Sequence, residues 1–146
     1  MPTYQITVKQ NLLSDTQKDD IAEYLTKIHT GLTGAPNYYV QIIFNETNNR
    51  RYLGGKRSDS QIWVHGDIRS GRTPETRSLL VEKIIDGIYK IASVPKNDIW
   101  VFLNNLEPSD MAIYGQLTPI PGEEEKWFKS LPNSLQNKLS HINVEN

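Results

Sequence analysis

A short β-branched run near the start of the chain, Gln5-Ile6-Thr7-Val8, returns as Gln61-Ile62-Trp63-Val64, and each predicts a strand. A polar bend and a helix start follow each run. Ser14 and Gln17 have the spacing of a capping box, in which each side chain accepts a hydrogen bond from the other residue's free backbone N–H. Thr73 can cap the second helix with Pro74 in its first turn, where a missing N–H costs nothing. Ala22, Leu25, Ile28, His29 and Leu32 make one apolar stripe at helical spacing; Leu80, Ile84, Ile88 and Ile91 make the other. Both helices are expected to stop ahead of a proline, at Gly34-Ala35-Pro36 and at Ser93-Val94-Pro95. A β-forming run follows in each case, over 39–44 and 99–103.

The two halves therefore share one plan, with the helix starts 59 residues apart, Ser14 against Thr73. Strand–helix–strand connections are right-handed and bring their strands together in parallel. The expected fold class is α/β (α+β): tandem β-α-β repeats forming a four-stranded, mostly parallel sheet with two helices on one face. A single domain over 1–146 would hold repeat one at about 2–46, a polar linker at about 47–59, repeat two at about 60–105 and a tail at about 106–146. The uncovered sheet face should meet another copy in a small oligomer. In the tail, 123–128 predicts a helical turn with Trp127 and Phe128 inward, and Pro132 opens a short amphipathic helix with Leu135 and Leu139. The tail is expected to pack, not to take part in chemistry.

Composition narrows the classes. A formal charge of -1 and the lack of a basic, Gly-aromatic strand motif argue against nucleic acid or an anionic membrane as partner. Without cysteine there is no disulfide, thiol nucleophile or thiolate metal site, and His29, His65 and His141 lack metal-ligand spacing. The N-terminus has no apolar run of the kind a signal peptide or membrane span requires, so a cytoplasmic protein is expected.

Two features carry candidate chemistry. Pro2 stands directly behind Met1, and a small residue there normally leads to removal of the methionine. The chain would then begin with a secondary amine, and a free α-amino group titrates at about 7.7–8.0. Burial or a neighbouring cation lowers that value toward the range a general base needs. The second feature is Gly66-Asp67-Ile68-Arg69-Ser70-Gly71-Arg72, in which two arginines follow a strand inside a glycine-bounded loop. Guanidinium forks match a carboxylate in bidentate geometry, so the pair suits a small carboxylate; Arg69 could equally pair with Asp67 or Glu75 on the surface. His29, on the first apolar stripe, is either a hydrogen-bonded core histidine or a third contact to the same anion.

An N-terminal proline, duplicated β-α-β units and a paired-arginine loop together resemble the tautomerase superfamily in its long, fused-repeat form, nearest the cis-3-chloroacrylic acid dehalogenase group. The likeness is carried by Met1-Pro2-Thr3-Tyr4, Thr33-Gly34-Ala35-Pro36, Val40-Gln41-Ile42-Ile43-Phe44, Gly66-Asp67-Ile68-Arg69 with Gly71-Arg72, Ile99-Trp100-Val101, and Pro119-Ile120-Pro121-Gly122-Glu123-Glu124 with Trp127-Phe128. It implies a cofactor-free homotrimer in which Pro2 is the acid or base while His29, Arg69 and Arg72 bind and polarise a small carboxylate substrate. Two positions depart: Phe102 stands where the group has a tyrosine, and Ile113 where it has a glutamate, the pair that activates water. Tyr114 follows Ile113, but a one-residue offset on a strand faces the other way. Hydration and dehalogenation should be crippled. With that glutamate gone, the guanidinium charges repel a protonated amine without compensation, so the amine favours its neutral, basic form. The resemblance thus implies a tautomerase or isomerase of small 2-oxo or 2-hydroxy unsaturated carboxylates. The alternatives are a haloacrylate dehalogenase or hydratase with impaired water activation, and a non-catalytic ligand-binding homologue.

Overall fold

A computed structural model describes residues 1–144. Along the chain lie β1 (Pro2–Lys9), α1 (Asp15–Thr33), β2 (Gln41–Thr47), a hairpin of β3 (Tyr52–Leu53) and β4 (Lys56–Arg57), β5 (Ile62–Arg69), α2 (Pro74–Ala92) and β6 (Ile99–Leu106). A second hairpin of β7 (Ala112–Ile113) and β8 (Gln116–Leu117) follows, then α3 (Glu124–Ser130) and α4 (Asn133–Val144). The helices begin where the caps require. Ser14 Oγ accepts from the Gln17 N–H at 3.1 Å while Gln17 Oε1 accepts from the Ser14 N–H at 2.9 Å. Thr73 Oγ1 caps the Thr76 N–H at 3.1 Å, with Pro74 in the first turn.

Strand order is β2-β1-β5-β6. Each β-α-β unit contributes a parallel pair, β1 with β2 and β5 with β6, and the two units join through an antiparallel central pair, β1 with β5. That junction controls everything at the site. In an antiparallel pair the beginning of one strand lies beside the end of the other, so Pro2 opposes Ile68. Pro2 and the arginine loop therefore meet at the centre of the sheet.

The core fills the space between the sheet and the two helices. Tyr4, Ile6, Val8, Ile62, Val64 and Ile68 face Leu25, Leu80, Ile84 and Ile88, all of them buried. Ile21, not Ala22, opens the buried stripe of α1. Gly66 is buried opposite Tyr4, and a Cβ there would lie 2.7 Å from the Tyr4 ring and 2.8 Å from Leu103. Overpacking of this kind costs about 1–3 kcal/mol, so Gly66→Ala should lower the unfolding free energy by that amount, seen as a lower denaturation midpoint with an unchanged slope of the transition.

Tyr39, expected to begin the second strand, instead sits in a 3-10 turn over Asn37–Tyr39; the matching turn over Lys96–Asp98 precedes β6. Pro36 holds an extended backbone and the Val40 N–H then closes onto the Asn37 carbonyl at 3.0 Å, which delays β2 to Gln41. A two-residue hairpin turn follows each unit, with left-handed residues Gly54-Gly55 in one and Tyr114-Gly115 in the other.

A second cluster, formed by Ala35, Tyr38, Tyr39, Trp127, Leu131 and Leu139, fastens α3 and α4 onto the turn before β2. The other sheet face is uncovered and exposes Trp63, Trp100 and Phe102. Among the described residues no helix is long and apolar enough to cross a membrane.

Candidate active site

The site is built where β1 begins and β5 ends. In the structure the terminal amine belongs to Met1, one residue ahead of Pro2, so it stands in for the proline amine that methionine removal would create. Desolvation by burial, then the charges of Arg69 and Arg72, push this amine from 8.0 down to about 4, while Glu124 pulls weakly the other way. The cavity beside it has a volume of about 560 Å³ and is lined by Met1, Tyr38, Tyr39, Ile42, Ile113 and Tyr114.

His29 projects from the buried face of α1 and is 1% exposed. Its Nδ1 lies 2.8 Å from the Tyr4 hydroxyl, and the rings meet edge to face at 5.8 Å. Burial, then the positive terminus, Arg72 and Arg69, press its pKa down to about 3. The imidazole is neutral at any working pH, as is the Tyr4 phenol, which burial pushes above its ordinary range. Unfolded, the histidine takes up a proton near pH 6.5 that the fold refuses, so stability falls as pH drops from 6.5 toward about 3. Each proton contributes a slope of about 1.4 kcal/mol per pH unit. Replacing His29 by glutamine should flatten stability against pH by about one proton between pH 4 and 6; an unchanged slope in denaturant titrations would count against a neutral, buried imidazole.

Arg69 ends β5 and is also 1% exposed. It pairs with neither Asp67 nor Glu75. Its Nη1 donates to the Pro119 carbonyl at 2.7 Å, its Nη2 to Glu124 Oε1, and its guanidinium lies 5.5 Å over the Tyr39 ring. Its Nε–H is buried without a partner. Asp67 instead accepts from Asn104 at 3.2 Å and lies 3.1 Å from His65 Nε2. Arg72 is half-buried, and burial followed by repulsion from Arg69 lowers its pKa. Gly71 makes the bend between them at φ +102°, where Pro121 packs against it; an added Cβ would lie 3.1 Å from Pro121 Cγ.

The residues expected to act together thus converge around the terminal amine, with Ile113 in the wall of the same cavity. Phe102 does not join them within one chain. It stands half exposed on the open sheet face, 5.9 Å from the Trp63 ring, beside a groove of about 260 Å³ bounded by Tyr52, Leu53, Trp63 and Trp100. Tyr114 does line the cavity, contrary to the expectation that it faces away, because the strand ends at Ile113 and Tyr114 occupies a left-handed turn. Its hydroxyl is nevertheless engaged, donating to the Tyr38 carbonyl at 2.6 Å.

Three contributors escape a reading of the sequence: Tyr4 as the partner of His29, Tyr39 beneath Arg69, and Glu124. Residues 106–146, expected only to pack, bring Glu124 to Arg69; the carboxylate also accepts from the Gly122 N–H at 2.8 Å. Burial raises the Glu124 pKa, but hydrogen bonds from Arg69 and the backbone, with the Arg69 charge, leave it below its ordinary value. The amine's cations are therefore partly compensated, and the expectation of an uncompensated positive site is corrected. The only hint was a Pro-Ile-Pro-Gly bend running straight into two glutamates.

Residues 1–131 match the model of a family described as "Putative oxalocrotonate tautomerase enzyme". The chain belongs to the tautomerase superfamily. Members of that superfamily are generally enzymes. The crystal structure of N1, described as a member of the cis-3-chloroacrylic acid dehalogenase (cis-CaaD) family, is similar over 95% of this chain and 99% of its own, with 35% identity and a TM-score of 0.91. A wild-type fused 4-OT in an asymmetric trimer aligns over 79% of this chain and 94% of its own, at 23% identity and a TM-score of 0.71. Native RhCC from Rhodococcus jostii RHA1 covers 97% and 96% at 16% identity, with a TM-score of 0.70. The last two establish only a common fold. No curated protein matches the chain. The superfamily fold thus supplies the frame, and the antiparallel join of its two repeats explains why a terminal amine lies close to an arginine loop.

Proposed function

We propose that this chain is a cofactor-free tautomerase or isomerase of small 2-oxo or 2-hydroxy unsaturated carboxylates, with Pro2 as general base after removal of Met1. The observation that carries the reading is the convergence of the terminal amine with Arg69, Arg72 and His29 beside a cavity, where burial and the two cations drive the amine to about 4. An amine so placed is neutral at pH 7 and accepts a proton.

In this scheme Arg72 holds the substrate carboxylate, with Arg69 behind it. The proline nitrogen takes the proton from the enol oxygen, or from carbon in the reverse direction, and returns it at the other position. Negative charge then spreads from the enolate oxygen over the conjugated system, where fixed guanidinium groups stabilise it without reorganising. When the Tyr4 hydroxyl donates to Nδ1, the remaining His29 proton sits on Nε2 as a neutral donor.

A homotrimer working in the cytoplasm completes the proposal. It is supported by the uncovered sheet face, on which Trp63, Trp100 and Phe102 are exposed, and by the trimeric fused 4-OT. The 35% identity to N1 favours a second reading, a haloacrylate dehalogenase or hydratase. Ile113 in the cavity wall opposes it, since an isoleucine cannot orient or deprotonate water.

The test is turnover of phenylpyruvate enol by protein whose first residue, established by intact mass, is Pro2, against Pro2→Ala. Undiminished turnover in the variant would refute the proposal. Halide release from cis-3-chloroacrylate would favour the second reading, and a native protein that keeps Met1 would favour a non-catalytic ligand-binding role.

A further inference from the structure

We infer that Glu124 sets the net charge of this pocket and so makes it select monocarboxylates over dicarboxylates. The inference rests on the carboxylate-binding reading above.

The charges around the amine can be assigned from contacts. Arg69 is sealed from solvent, with Nη2 on the Glu124 carboxylate and Nη1 on the Pro119 carbonyl. Both η nitrogens thus already serve the protein, and the ion pair is neutral as a whole. Glu124 is held in place by the Gly122 N–H, at the foot of α3. His29 is buried with Nδ1 engaged by the Tyr4 hydroxyl, and the amine is buried beside the two arginines; both are uncharged in the fold. Among the described residues that act on the amine, Arg72 is the one cation without an acidic partner of its own.

One net positive charge acting beside the amine is balanced by one carboxylate. A second carboxylate on the same ligand would enter space walled by Tyr38, Tyr39, Gln41, Ile42 and Ile113, where the described residues place no cationic side chain. An unpaired buried charge is costly, and so the diacid is rejected by what its far end lacks. Removing the negative charge of Glu124 leaves both guanidinium groups uncompensated and removes the reason for the rejection. Without that anion Arg69 is also free to turn its η nitrogens toward the cavity.

The probes are 2-oxopentanoate and 2-oxoglutarate, which share a chain length and differ by one terminal carboxylate. Their affinities are measured by calorimetry on the intact oligomer. Wild type should bind 2-oxopentanoate at least tenfold more tightly than 2-oxoglutarate. Glu124→Gln should shrink that ratio at least tenfold, whereas Glu124→Asp, which keeps the charge, should preserve it. A ratio cancels any general loosening of the pocket, which a mere brace would produce.

The double variant Arg69→Met with Glu124→Gln removes the pair together and should keep the wild-type preference at lower affinity. It and the wild-type ratio decide the matter even where Glu124→Gln alone does not fold. Equal or tighter binding of 2-oxoglutarate by wild type overturns the inference, as does a Glu124→Gln protein whose two affinities change in step. Those outcomes leave the Pro2 mechanism standing; binding of neither acid to wild type would bring down the carboxylate-binding reading and this inference with it.

Discussion

Protein that retains Met1 should turn over phenylpyruvate enol at least 10²-fold more slowly than protein beginning at Pro2, a loss within the roughly 10²–10⁴-fold typical of a positioned general base. With Met1 in place the Pro2 nitrogen is an amide, and its lone pair is delocalised into the carbonyl. Met1 does bring an amine of its own to the pocket, but that nitrogen lies one residue ahead of the proline nitrogen and so is not placed where the proline base would stand. A proline amine freed by loss of Met1 would stand beside the same two guanidinium groups. Its pKa therefore falls below the ordinary 7.7–8.0, and only its neutral form is a base. Activity should accordingly stay level from pH 8 down to about pH 6, where an ordinary α-amine would be largely protonated, and fall only at more acid pH. Equal rates for the two forms, or an acid limb centred near pH 8, would contradict this.

The largest stability effect is expected at Arg69. Substitution by methionine keeps much of the stem's packing against Tyr39 but strips Glu124 of its cationic partner, leaving the carboxylate only the backbone N–H groups of Gly122 and of Glu124 itself. Breaking a buried pair from one side costs about 3–5 kcal/mol, because the surviving charge remains out of water. The side chains here are 1% and 16% exposed, so screening relieves little of that cost. Denaturant unfolding should register the loss, and adding Glu124→Gln to Arg69→Met should recover most of it. A loss below about 1 kcal/mol for Arg69→Met would mean that Glu124 swings into solvent at no cost and that the pair does not brace the loop.

Most of the framework could be read from local patterns. The capping box at Ser14 and Gln17, the Thr73-Pro74 start and the two β-branched runs each act over a few residues, and the elements began where those patterns required. The stretch before β2 was harder, because Tyr38 and Tyr39 are good strand formers that are drawn into a 3-10 turn by burial against Trp127 and Leu139. Tyr114 was misread for a related reason. Its facing was inferred from strand alternation, but a left-handed turn residue obeys no such alternation.

Taken alone, the sequence determined the duplication, the helix limits and the residue types available to the site: a terminal proline, two arginines three apart and a histidine on an apolar stripe. These are matters of composition and short-range spacing. Only the tertiary structure decided that the repeats join antiparallel, which carries Pro2 to the end of β5. It also decided that Arg69 is buried on Glu124, 55 residues away, rather than exposed beside Asp67. Strand direction at the join and the choice of a carboxylate partner depend on which surfaces can be buried together. That is a property of the whole packed chain, which no window of neighbouring residues contains.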